Sequence, residues 1–211
     1  MPKRSLVMSA VLVLCFALST AAQTDSPSVE AFLKSTLKAE DELSFHARGD
    51  LNGDGLEDWA GVILRKKEAP LQTSQLYVLL RTAAGGFHVR EKSKEAEIDG
   101  TGCCYVESLE IKRASIYVQN NFKSDNIMEA VTHQFRFDKD KLRLVGIKIS
   151  RTDFRPKEPT DTDIEMNLLT GAVVEKRGRG EGKPTVASRR RRKFSTHTLR
   201  EFDFEAGFGS K

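Results

Sequence analysis

The sequence is short of the residues that usually mark a catalytic or metal centre. It holds only three cysteines and four histidines among 211 residues. None of His46, His88, His133 and His197 stands at zinc-ligand spacing from another histidine or from a cysteine. There is no G-x-S-x-G and no C-x-x-C motif, and no pair of carboxylates is marked as acid and base. We therefore expect a protein without catalytic activity, and an enzyme stays the open alternative.

Long hydrophobic runs are also scarce, and the one that stands out lies near residue 1. Lys3 and Arg4 precede an apolar run over 6–18, and small residues follow as far as Ala22. A run of that length is too short to span a bilayer comfortably, and the pattern is typical of a secretory signal peptide. We expect cleavage after Ala22, a mature chain over 23–211, a periplasmic or secreted location and no transmembrane segment.

The cysteines that would survive this cleavage are two neighbours, Cys103 and Cys104, since Cys15 lies in the expected signal peptide. Exported proteins meet an oxidising environment, in which free thiols rarely persist. Adjacent cysteines bond to each other only through a strained eight-membered ring, and strained bridges are easily reduced. A vicinal disulfide is the expected state of the pair, with buried or cross-linking thiols and a redox site as the alternatives.

The composition and the residue patterns predict a single β-rich domain over 23–211. Hydrophobic residues make up 39% and charged residues 30% of the sequence, as in ordinary globular domains. Ser26, Pro27 and a helical spacing of apolar residues predict one helix over 27–38. The chain that follows has about ten short strand-like segments separated by turn residues. The predicted fold is mainly β and antiparallel, with a sandwich, a barrel and a small propeller-like closure all open.

One late segment is strongly basic, whereas the rest of the expected mature chain has more acids than bases. Residues 176–193 include nine basic residues and one acid, Glu181, and end in the run from Arg189 to Lys193. We expect this basic segment to be a solvated loop or a strand edge guarded by charge. Contact with an anionic envelope component or an acidic partner is the alternative. Nucleic acid is not an expected partner, because aromatic residues for base stacking do not interleave with the arginines.

The stretch GDLNGDGLED, residues 49–58, is the most specific motif in the chain. Calcium prefers six to eight oxygen ligands, which a loop supplies from alternate positions around a glycine turn. Gly61 stands where an EF-hand has its bidentate glutamate, so this is a different loop, which joins two strands and has modest expected affinity. A polar turn without an ion is the alternative reading. The oxygen donors are Asp50, Asn52, Asp54, the carbonyl of Leu56 and Asp58.

Residues 49–64 resemble the calcium loop of FG-GAP repeats, which occur in β-propeller blades, although the motif occurs only once here. A second resemblance rests on the hairpin over 135–146 and on the later stretch 165–171, EMNLLTG. Together with the single loop, these segments resemble a family of exported bacterial proteins of mostly unknown role. Some members of that family resemble periplasmic inhibitors of lysozyme-like hydrolases, including immunity proteins, with small propeller-like β folds.

The resemblance implies an exported β domain that is stabilised by Ca²⁺ and binds another macromolecule, with a cell-wall hydrolase as the suggested partner. The first alternative is an envelope structural protein that contacts anionic polymers through its basic segment. The second alternative is a hydrolase whose catalytic residues the sequence does not reveal. The sequence does not identify the partner-binding residues.

Overall fold

The structure is a computed structural model that describes residues 25–66, 72–98, 105–157, 159–179, 186–195 and 197–202. The expected signal peptide and the pair Cys103 and Cys104 lie outside these ranges. Within them, no helix has the length and the apolar character needed to cross a membrane.

One helix, α1, spans Val29–Thr36 and corresponds to the helix predicted over 27–38. Ser28 caps it, because the Ser28 hydroxyl oxygen accepts a hydrogen bond from the Ala31 N–H at 3.1 Å. The helix buries Val29 and Phe32. The ring of Phe32 lies 6.0 Å from that of Trp59 and 5.6 Å from that of Tyr77. These contacts fix α1 to one face of the first sheet.

The strands form two antiparallel sheets. Sheet A contains β1 (Asp25–Ser26), β2 (Glu42–Gly49), β3 (Asp58–Lys66), β4 (Gln72–Arg81), β5 (Phe87–Lys92) and β6 (Ala96–Ile98). Its order is β1-β5-β4-β3-β2, and β6 pairs with β4. Sheet B contains β7 (Tyr105–Lys112), β8 (Ser115–Ser124), β9 (Ile127–Asp138), β10 (Lys141–Asp153), β11 (Thr160–Asn167), β12 (Ala172–Arg179) and β13 (Val186–Arg191). These seven strands follow one another in chain order across sheet B.

The two sheets share one hydrophobic core. Successive side chains of a strand point to opposite faces, and Val62 and Val78 of sheet A meet Ile116, Phe135 and Leu144 of sheet B. All five are at most 1% exposed. The opposite face of sheet A packs on α1. The prediction of a mainly β, antiparallel fold with one short helix is therefore confirmed, and the arrangement is a sandwich of two open sheets in the described ranges.

The segment after β13 returns to this core. A 3₁₀ turn over Leu199–Glu201 places Leu199 and Phe202 in the interior. The ring of Phe202 lies 4.8 Å from that of His133 and 5.2 Å from that of Phe135. His133 is 2% exposed, and its burial lowers the pKa of the imidazole from 6.5 to about 4.

The sequence patterns did not predict three of these strands, of which Asp25–Ser26 has only two residues. Ala96–Ile98 has only three residues, too few for a recognisable alternation. Val186–Arg191 is half arginine and belongs to the basic segment, for which both a loop and a strand edge were open. The structure places Arg189, Arg190 and Arg191 on the edge strand of sheet B.

Candidate functional site

The loop of the GDLNGDGLED stretch joins β2 to β3. Gly49 is the last residue of β2 and pairs with Asp58, the first residue of β3, so the two ends of the loop are fixed side by side. Gly53 and Gly55 both have φ near +81°, in the left-handed region that glycine adopts without strain. The two glycines therefore let the chain fold tightly between these fixed ends.

Three polar side chains in the first half of the loop accept hydrogen bonds from the loop backbone. Asp50 accepts hydrogen bonds from the N–H groups of Gly53 at 2.7 Å and Gly55 at 3.0 Å. Both hydrogen bonds lower the pKa of the Asp50 carboxyl, and the bond from Gly55 has the larger effect. Asn52 accepts from the Asp54 N–H at 3.0 Å, and Asp54 accepts from the Leu56 N–H at 2.8 Å. Asn52 and Asp54 are nevertheless exposed, so their side chains are accessible from solvent.

Asp58 differs from the other loop acids because it is fully buried. One carboxylate oxygen accepts from the Leu51 N–H at 2.8 Å, and the other accepts from the Arg81 N–H at 2.9 Å. Asp58 thus ties the loop to the end of β4. Its pKa is raised, chiefly because burial disfavours the charged form, and the nearby charges of Asp54 and Asp50 act in the same direction.

The donor chemistry of the loop fits a hard cation, but its present geometry does not form a finished site. In the described ranges, no three His, Cys, Asp or Glu side chains are grouped as metal ligands. The carboxylates of Asp50, Asp54 and Asp58 point instead to backbone N–H groups. Each carboxylate offers about four lone-pair positions, so one hydrogen bond to each of its two oxygens leaves capacity for a cation.

The absence of a glutamate at position 12 of the loop has a packing reason. Gly61 lies beneath the indole of Trp59, and a Cβ built on Gly61 would be 2.1 Å from the Trp59 ring. Trp59 is itself 1% exposed and packs on α1. Any side chain at Gly61 would displace this ring. A ligand at position 12 of the loop is therefore incompatible with the hydrophobic core between sheet A and α1.

A second feature is a groove of about 570 Å³ on sheet B. Tyr117, which lines it, stands between Ile116 and Val118, and both of these neighbours point into the core. The groove therefore occupies the outer face of the sheet, opposite the core. The strand registers align its residues in two rows across six strands. The rows are Ser108, Gln119, Thr132, Lys148, Glu165 and Val174, and Glu110, Tyr117, Gln134, Gly146, Asn167 and Ala172.

These two rows, here called the groove face, are mostly polar. The register shift between Leu144 and Gly146 bends β10 at the centre of the groove. A Cβ on Gly146 would lie 2.9 Å from the Gln134 side-chain oxygen, so the glycine keeps the floor open. Gln119 and Gln134 donate hydrogen bonds to Asn121 and Ser115 within the same face. Sequence reasoning did not predict the groove, because it depends on the register of six strands.

The NLLTG motif of the second resemblance builds a turn. The Asn167 side-chain oxygen accepts from the N–H groups of Leu169 at 3.1 Å and Thr170 at 3.0 Å. Leu168 is buried, and Gly171 has φ +73°. A Cβ on Gly171 would lie 2.1 Å from the Arg192 carbonyl oxygen, so this glycine lets the chain after β13 approach the turn. The motif therefore shapes the β11–β12 connection beside the groove.

The groups whose pKa is displaced by burial lie away from the groove. Glu91 is 7% exposed, burial raises its pKa, and it accepts from the Leu142 N–H at 3.3 Å between the sheets. Asp58 and His133 are likewise interior. A general acid or base usually combines a displaced pKa with an accessible position in a cleft, and these three groups lack the accessible position.

Compared with family models, with curated proteins and with solved structures, the chain has no significant match. Its function is therefore inferred from its own residues.

Proposed function

We propose that this protein is an exported, calcium-stabilised binding module that docks another macromolecule on the groove face of sheet B. The observation that carries the proposal is the register-aligned polar groove across six strands. Small-molecule pockets are mostly enclosed, whereas this surface is open along the sheet and its two rows consist mostly of polar residues. A rigid sheet also holds its side chains more accurately than a loop does, which favours specific recognition of a large partner.

The proposed partner is a lysozyme-like cell-wall hydrolase, as the sequence resemblance suggests. Outside the basic segment the expected mature chain has more acids than bases, which favours encounter with a basic enzyme. The three groups with burial-displaced pKa values lie in the interior, and this supports binding over catalysis.

Calcium has a structural role in this proposal. Asp50, Asn52, Asp54, the Leu56 carbonyl and Asp58 would hold Ca²⁺, and the ion would neutralise acids that otherwise repel one another. Burial is the main cause of the raised pKa of Asp58, and the charges of Asp54 and Asp50 add to it, which is the repulsion that a bound cation would relieve. Exposed Asp50 and Asp54 side chains would exchange backbone N–H donors for the ion. The loop would then be held closed without taking part in any reaction.

The experiment is a direct binding and lysis assay with a purified lysozyme-like hydrolase. Thr132→Arg together with Gln119→Arg fills the groove face with bulk and positive charge. We expect wild type to bind and to lower the lysis rate, and the double variant to bind about tenfold more weakly or worse. Isothermal titration calorimetry and the clearing of cell-wall suspensions measure these two effects.

The matched control carries the same charge change on the other side of the molecule. Thr36→Arg in α1 and Gln72→Arg at the start of β4 lie on sheet A and its helix. This control should bind like wild type. Equal weakening in both double variants would mean that charge alone governs binding, and no binding or inhibition by wild type across a panel of such hydrolases would remove this partner class.

A further inference from the structure

One of the two terminal strands of sheet B in the described ranges is β13. This strand pairs with β12 on one side, and in the described ranges no strand pairs with its other side. An unpaired strand edge presents backbone N–H and C=O groups that another extended chain can bind.

One hydrogen bond fixes which backbone groups face outward. The Arg192 N–H donates to the Gly171 carbonyl at 2.8 Å. In an antiparallel ladder, such bonded pairs alternate with pairs whose backbone groups point away from the partner strand. The register then directs the N–H and C=O groups of Ser188 and Arg190 toward β12. Those of Ala187, Arg189 and Arg191 point to the open side.

The arginine side chains alternate as well, and they are not equivalent. Arg190 lies on the core side of the sheet, 3.5 Å from the carboxylate of Glu175, which also pairs with Arg177 at 2.6 Å. Arg189 and Arg191 point to the groove side, opposite Val174 and Ala172. Neither arginine forms an ion pair with any described residue. The same two residues thus combine outward backbone groups with uncompensated positive side chains.

We propose that β13 accepts an extended acidic segment of the partner protein as an eighth strand of sheet B. Carboxylates at every second position of that segment would lie opposite Arg189 and Arg191, on the face continuous with the groove. Alternate residues of a strand are about 6.6–6.8 Å apart on one face. The match therefore requires acids at positions i and i+2, rather than a compact cluster. This inference rests on the proposed binding function for the existence of a partner, but it uses a different surface.

The test uses two synthetic peptides of equal composition and charge. One alternates glutamate with threonine, and the other groups its glutamates together. Their binding to the mature protein is measured by fluorescence anisotropy in about 0.15 M salt, where long-range attraction between exposed charges is screened. We expect the alternating peptide to bind about tenfold more tightly than the grouped one.

Two double variants at the same edge of sheet B separate face-specific pairing from general attraction. Arg189→Gln with Arg191→Gln removes the groove-side charges, and Arg190→Gln with Arg192→Gln removes an equal charge elsewhere. The first pair should lower affinity for the alternating peptide about tenfold, and the second by less than about threefold. Equal losses, or equal binding of both peptides, would overturn the proposal in favour of a surface that attracts any anionic polymer.

A backbone variant tests strand addition without any change of charge. Ala187→Pro removes an N–H that points to the open side, so the β12–β13 hydrogen bonds stay intact. It should weaken the alternating peptide severalfold while leaving the thermal midpoint close to that of wild type. Unchanged peptide affinity in this variant would also overturn the proposal, as would the absence of peptide binding by wild type.

The groove double variant, Thr132→Arg with Gln119→Arg, should leave peptide binding at the edge unchanged. Loss of hydrolase binding with retained peptide binding would contradict neither surface. Retained hydrolase binding by the control variant, Thr36→Arg with Gln72→Arg, together with no peptide binding by wild type, would remove only the edge-strand inference. The two proposals therefore fail separately.

Discussion

Replacing Asp58 by alanine is expected to lower the free energy of unfolding by about 3 kcal/mol. The reason is the loss of the carboxylate that accepts the Leu51 and Arg81 N–H groups at 2.8 and 2.9 Å. The Leu51 N–H would remain buried without an acceptor and the Arg81 N–H partly buried, and a buried unsatisfied donor costs about 1–3 kcal/mol. Urea unfolding in the presence of a chelator measures the change without any contribution from calcium.

Asp54→Ala is the matched control for this prediction. Asp54 lies in the same loop but is exposed, so its replacement should change the free energy of unfolding by only about 0.5 kcal/mol without calcium. Asp58→Asn should fall between the two, because an amide has one acceptor oxygen where the carboxylate has two. Equal stability of the Asp58→Ala and Asp54→Ala variants would show that Asp58 does not anchor the loop.

Lowering the pH from 6.5 to 4 is expected to remove about 3 kcal/mol of stability through His133 alone. The folded-state pKa of His133 is about 4, below its ordinary value of 6.5, because burial disfavours the imidazolium. Between these two values the unfolded chain binds the proton and the folded chain does not. The contribution of His133 is therefore complete above pH 6.5 and is lost progressively as the pH falls.

Comparison with His133→Leu isolates this contribution from the carboxylates that titrate in the same range. Leucine has a similar volume and takes up no proton, so it keeps the interior filled beside Phe202 and Phe135. Between pH 6.5 and 4, the free energy of unfolding should fall by about 3 kcal/mol less in the variant than in wild type. Parallel profiles for the two proteins would contradict the assignment of a buried, neutral His133.

Local patterns predicted the parts of the fold whose residues interact with near neighbours. The apolar spacing of Val29 and Phe32 predicted α1 because a helix is made of local contacts, although its N-cap is Ser28 and not Ser26. Period-two alternation likewise indicated most strands. β13 was left open because its arginines carry no apolar alternation, and its pairing with β12 depends on the β11–β12 turn at Gly171.

The residues of the candidate site also fall into those that the local sequence identified and those that only the fold revealed. Asp50, Asn52 and Asp54 were recognisable because all loop donors lie within nine residues. The burial of Asp58 was not recognisable from the sequence, because it depends on the Arg81 N–H, which lies 23 positions away. The groove face required the registers of six strands, and the register of each strand follows from its own turns and bulges. The absence of a side chain at Gly61 is explained only by the position of the Trp59 ring.

The most direct test of the central claim, that calcium holds the 50–58 loop, is thermal unfolding of the mature protein in millimolar Ca²⁺ and in chelator, with Asp54→Ala alongside. At a calcium concentration ten times the dissociation constant, linkage predicts about 1.4 kcal/mol of stabilisation. That corresponds to a rise of roughly 3–6 °C in Tm for a domain of this size. We expect this rise in wild type and its loss in Asp54→Ala, and an equal Tm with and without calcium in wild type would contradict calcium binding by the loop.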